Sequence, residues 1–147
     1  MTTYWDTSCL LKLYCAEEDS ARFIALLDRG DDVPVTSKLT ETELYFALQQ
    51  KARRGETGGQ STDQIYNCFQ SDAEARRIRF IPWGEDVFRT ARHLASRCYA
   101  ESPNPIFLRS LDGIHLASAI LANCKRVHST DERMRQASDY LGLQVLP

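Results

Sequence analysis

Four carboxylates are the residues whose type and placement can do chemistry: Asp6, Glu43, Asp112 and Asp131. Asp6 closes a short apolar-aromatic run, Thr3-Tyr4-Trp5, and a helical pattern begins at once after it (Leu10, Leu11, Leu13, Tyr14). Asp131 repeats this arrangement after Arg126-Val127-His128 and Ser129-Thr130. An acid that follows a strand and precedes a helix stands at the carboxyl edge of a parallel sheet, where ligands of open α/β folds bind. Asp112 opens a helix that leads into the second of these strands, so its helix start lies on the same edge. Glu43 and Glu41 both sit near the start of a long helical segment, and periodicity does not choose between them.

Each acid has a plainer role available. Asp6 and Asp131 suit helix N-caps, and Thr40-Glu41-Thr42-Glu43 matches a capping box. Asp112 lies in a first helical turn, where negative charge interacts favourably with the helix dipole. Gathered in one place the four acids mean something else. Unit charges a few ångströms apart repel by roughly 4 kcal/mol per pair at an effective dielectric near 20, so such a cluster calls for cations. Oxygen-only ligands suit Mg²⁺ or Mn²⁺ and not zinc. Ser8 and Thr130 neighbour the acids and can orient a ligand or a water, or cap helices. His115, three residues after Asp112, reads as a packing or hydrogen-bonding residue, and His93 and His128 have no partner pattern. The chain has no G-x-G-x-x-G, no G-x-x-x-x-G-K-[ST] and no G-x-S-x-G.

Strands alternating with helices must position these residues. The pattern predicts strands at about 3–6, 33–36, 78–81, 126–128 and 143–146. Helices are predicted at about 8–15, 19–29, 38–54, 62–76, 85–100, from 110 or 111, and 131–140. Phe23, Ile24, Leu26 and Leu27 read as the inward face of the second helix, which Gly30-Asp31-Asp32 stops. Pro34 argues for an edge position of the second strand, because proline cannot donate to a ladder. Glu17-Glu18-Asp19 reads as a solvated turn and N-cap. Helices 38–54 and 62–76 form a hairpin expected to project from the sheet, with apolar residues (Leu44, Tyr45, Phe46, Leu48, Ile65, Tyr66, Phe69) left over for an interface. The result is an α/β fold around a parallel sheet.

At 147 residues the chain suits one domain, 1–147, with one sizeable core. No apolar run is long enough for a membrane span, and the N-terminus lacks the basic and apolar regions of a signal peptide. The five cysteines are odd in number and form no C-x-x-C pair, which predicts buried free thiols in a reducing cytoplasm. The net charge of −2 argues against a simple nucleic-acid binder. Were the four acids engaged by cations, however, the remaining surface would be positive and able to meet a polyanion. The basic residues Lys12, Lys38, Lys51, Arg53, Arg54, Arg76, Arg77 and Arg79 are scattered and read mostly as solvated.

Four stretches together resemble the motifs of PIN-domain proteins, and more narrowly the VapC-type toxins of prokaryotic toxin–antitoxin pairs. They are Tyr4-Trp5-Asp6-Thr7-Ser8, Thr40-Glu41-Thr42-Glu43-Leu44, Leu111-Asp112-Gly113-Ile114-His115-Leu116-Ala117-Ser118-Ala119, and Ser129-Thr130-Asp131. The resemblance spans nearly the whole chain, in order. It implies a three-layer fold with a central parallel sheet of about five strands flanked by helices. It also implies Mg²⁺- or Mn²⁺-dependent endoribonuclease activity, with Asp6, Glu43, Asp112 and Asp131 as ligands; the family pattern chooses Glu43 over Glu41. A small antitoxin and a homodimer are the partners it implies. The alternatives are a catalytically silent RNA- or protein-binding domain of the same fold and a small-molecule phosphatase. The missing second Asp near Asp6, where Ser8 stands, argues against the phosphatase.

Overall fold

The structure, a computed structural model, describes residues 2–30 and 33–147. Among these residues five three-residue strands form one parallel sheet: β1 (Thr3–Trp5), β2 (Val35–Ser37), β3 (Arg79–Ile81), β4 (Arg126–His128) and β5 (Gln144–Leu146). Their spatial order is β3-β2-β1-β4-β5. The chain therefore builds outward from β1 on one side, then crosses back to fill the other. The reversal falls between β1 and β4, where Thr3, Tyr4 and Trp5 pair with Arg126, Val127 and His128.

Alternation along the strands sends side chains to opposite faces. Tyr4, Val35 and Val127 join one apolar layer with α5 (Glu85–Tyr99), α6 (Ser110–Leu121) and α7 (Glu132–Tyr140). In α6, Ala117 and Ala119 are fully buried, and their small side chains let the helix lie close. Trp5 faces the other layer, with α1 (Thr7–Leu11), α2 (Ser20–Asp28), α3 (Leu39–Arg53) and α4 (Thr62–Glu74). The fold is thus helices, sheet, helices. Leu44, Leu48, Ile65 and Phe69 are fully or almost fully buried in that second layer, each worth roughly 1.5–3 kcal/mol of burial. Of the apolar residues expected to remain for an interface, Phe46 alone is strongly exposed among the described residues, at 66%.

Helix ends follow local chemistry. Gly55, at φ +72°, closes α3: its N–H donates to Ala52 O and the next N–H to Lys51 O. Gly142 closes α7 in the same way through Asp139 O and Ser138 O. Ser61 and Gln64 form a reciprocal capping box at the start of α4.

Several expectations need correction. The first helix stops at Leu11, and a turn follows. That turn buries Lys12, whose Nζ donates to Glu17 at 2.6 Å and Asp19 at 2.7 Å. Glu17 also holds Lys51, at 2.9 Å, so Glu17 and Asp19 clamp cations rather than forming a solvated face. Strand β2 is interior, between β1 and β3. Pro34 precedes the strand, where its missing N–H costs nothing, and its carbonyl accepts from Arg79 N. Ile24 is exposed, while Phe23 alone of the predicted inward face is buried. The stop at Asp31-Asp32 lies outside the described residues. Cys9, Cys15, Cys98 and Cys124 are buried as expected, whereas Cys68 is exposed.

Candidate active site

A cleft of about 270 Å³ opens at the carboxyl edge of the sheet, beside the β1–β4 reversal. Asp6, Glu43, Asp112 and Asp131 all line it, with Thr7, Ser8, Arg109 and His115. Four separate segments deliver the acids: the ends of β1 and β4, the second turn of α3 and the first turn of α6.

Capping and cleft lining prove compatible, because a carboxylate has two oxygens. Asp6 caps α1: its Oδ1 accepts from Cys9 N at 2.9 Å and from the Ser8 hydroxyl at 2.8 Å. Asp131 caps α7 through Oδ1, which accepts from Met134 N at 3.0 Å. Each retains its second oxygen for other partners. Glu43 forms no capping box. The N-cap of α3 is Lys38, which makes no side-chain cap bond. Glu41 pairs with Lys38 at 2.6 Å, outside the cleft.

A buried hydrogen-bond chain fixes Glu43. Ser37 N donates to the Tyr4 hydroxyl at 3.0 Å, which leaves that hydroxyl's proton for His115 Nδ1, 2.6 Å away. The other ring nitrogen, Nε2, then carries the imidazole proton and donates it to Glu43 Oε1 at 2.5 Å. Thr7 donates to the same oxygen at 2.7 Å. Burial pushes the Glu43 carboxyl upward, but His115, Thr7 and Arg109 outweigh it and hold the acid below the usual glutamate range. Burial pushes the Tyr4 phenol well above its ordinary value, so it remains a hydroxyl.

Arg109 holds the remaining two acids. Its Nε donates to Asp112 Oδ2 at 2.7 Å, and Nη2 donates to Asp112 Oδ1 at 3.3 Å and Asp131 Oδ2 at 3.1 Å. This pairing, with Asp112 first, raises the guanidinium above even its usual value. Among the described residues no three acidic, histidine or cysteine groups stand close enough to hold one metal ion as they are placed. The donor set nevertheless fits a hard divalent cation in kind, being all oxygen, and a cation already bridges two of its members.

Ser8 thus stands where its neighbourhood to Asp6 suggested. Thr130 is exposed and away from the cleft lining, and Ser129 instead accepts from Asp131 N at 3.2 Å. Sequence reasoning missed Thr7, Arg109 and the link from His115 to Glu43. The i, i+3 spacing of Arg109 and Asp112 was a usable clue. Nothing in the sequence ties Tyr4 to His115, which lie 111 residues apart.

A family model described as the PIN domain matches residues 3–140. Ribonuclease VapC35 of Mycobacterium tuberculosis is 32% identical, across 97% of this chain and 94% of its own length. Among solved structures, VapC20 of the same species, a toxin that cleaves the sarcin–ricin loop, superposes with a TM-score of 0.69 at 14% identity, covering 92% of this chain and 95% of that one. A chain of a toxin–antitoxin complex from Klebsiella pneumoniae gives 0.60 at 16%, covering 99% and 97%.

Proposed function

The chain belongs to the PIN-domain family, and we propose that it is a metal-dependent endoribonuclease serving as the toxin of a toxin–antitoxin pair. The observation that carries this reading is the cleft itself: four acids from four distant segments line one cavity at the sheet's reversal point. The 32% identity to a ribonuclease over nearly the full chain supports the same activity.

The reaction is hydrolysis of an RNA phosphodiester, in which water attacks phosphorus and the departing oxygen takes up a proton. Asp6, Glu43, Asp112 and Asp131 would hold Mg²⁺ or Mn²⁺. Bound there, the ion supplies a more acidic water and positive charge against the charge that develops on phosphate. The protein's share is positioning. Cys9 N–H and Ser8 fix one oxygen of Asp6, and His115 and Thr7 fix one oxygen of Glu43, so the second oxygen of each is aimed without a rotamer search. No nucleophilic side chain takes part.

The partner reading rests on the cleft mouth. Phe46, one turn beyond Glu43, and Leu111, beside Asp112, are exposed apolar residues. An antitoxin segment that covers them would also close the cleft. A homodimer would use the neighbouring surface, where an apolar cleft of about 280 Å³ between α5 and α6 is lined by Phe88, Leu108 and Ile114 and shares Arg109 with the acid cleft.

The Arg109 bridge and the spacing of the acids favour a catalytically silent domain, and a cleavage assay separates the two. Partner-free protein should cut RNA in Mg²⁺ or Mn²⁺ and stop in EDTA. Asp6→Asn and Asp131→Asn should each lower the rate by roughly a thousandfold. Asparagine caps a helix as well as aspartate does, so both variants should keep their fold by circular dichroism. Wild-type cleavage rates in those variants would refute the assignment.

A further inference from the structure

Arg109 occupies the place in the cleft that a cation is needed for, and the details bear on what it does there. It lines the acid cleft as the one arginine or lysine to do so among the described residues. Its guanidinium takes both oxygens of Asp112 and Oδ2 of Asp131, the oxygen that the helix cap leaves open. A divalent ion at Asp112 and Asp131 would have to compete with the guanidinium for them. The arginine side chain is 56% exposed, so the guanidinium can swing away from the acids without opening the core. Its backbone, by contrast, is held. Arg109 is the N-cap of α6, and its carbonyl accepts from Gly113 N at 2.9 Å. A guanidinium that lets go therefore stays at the cleft mouth, where it also borders Glu43, Ser110 and Leu111. Its planar fork of donors matches a phosphate as well as it matches a carboxylate.

Resting on the metal-dependent reading above, we propose that Arg109 is an exchangeable internal cation. It screens Asp112 from Asp131 while no divalent ion is present, and on ion binding it transfers its guanidinium to a phosphate of the RNA. The same residue then guards the acids at rest and grips the substrate at work.

The test is calorimetric titration of Mn²⁺ into the full chain, together with steady-state cleavage of a single-stranded RNA. Removing the competitor in Arg109→Gln should tighten Mn²⁺ binding by roughly two- to fivefold. In the same variant the KM for RNA should rise roughly tenfold, from loss of a charged contact, with a smaller change in kcat. Arg109→Lys, which keeps the charge but loses the fork, should restore the weaker Mn²⁺ affinity and not the low KM. A residue that merely props the fold would move both affinities down together with the melting temperature. Unchanged or weaker Mn²⁺ binding in Arg109→Gln overturns the exchange, and an unchanged KM overturns the transfer to phosphate. If wild-type protein binds no Mn²⁺, or Asp112→Asn binds it undiminished, the metal site itself is wrong and this proposal falls with it.

Discussion

Two histidines are buried beside β1, on opposite faces of the sheet, and their surroundings differ in kind. His115 has both ring nitrogens bonded, one to Tyr4 and one to Glu43. His128 lies against Trp5 at a centroid distance of 4.4 Å and near Phe23 at 6.4 Å, and its buried Nδ1 has no partner among the described residues. Burial, helped by Arg126, pushes this second imidazole down to about 4. One histidine directs a carboxylate, whereas the other fills space as a neutral ring. A buried histidine is thus no marker of chemistry by itself; what it bonds to decides its role.

The largest effect that would sharpen this contrast belongs to the acid His115 holds. Glu43→Gln should reduce RNA cleavage by roughly a thousandfold. Glu41→Gln, which loses only an exposed pair with Lys38, should change it little. Reversed outcomes in the cleavage assay would transfer the role to Glu41.

The next effect belongs to His128 and appears in stability. Its folded value of about 4 lies below the ordinary 6.5, so between these limits the unfolded chain binds more protons. The contribution is complete above about pH 6.5 and is lost as pH falls toward 4, by about 3 kcal/mol in all. Urea unfolding across this range should show a steeper loss for wild type than for His128→Gln. Parallel pH profiles would mean that His128 becomes charged without penalty.

The smallest effect concerns His115. His115→Gln should cost roughly ten- to a hundredfold in activity, because Glu43 loses one of two orienting donors and keeps Thr7. His128→Gln should leave cleavage near wild type at pH 7. Equal activity losses in the two variants would erase the distinction between the histidines.

How far the sequence foretold all this depends on distance along the chain. Asp6 and Asp131 were legible because each follows a strand and opens a helix within a few residues, and a parallel sheet brings such positions to one edge. The strand order was not legible, and Pro34 pointed the wrong way: its effect on pairing depends on lying one residue before β2 rather than inside it. Lys12 looked solvated because its burial needs the turn after Leu11 to face Glu17 and Asp19. The chain from Tyr4 through His115 to Glu43 joins three segments that only the folded sheet and α6 bring together.

The position of β1 has a consequence for biosynthesis. This strand precedes both of its neighbours, β2 and β4, so its pairing is complete only once β4, which begins at Arg126, has been made. A nascent chain therefore carries Asp6 and Glu43 long before the opposite wall of the cleft exists. Asp112 and Asp131 follow Glu43 by 69 and 88 residues, so the two walls of the cleft are made apart and meet only when β4 pairs with β1.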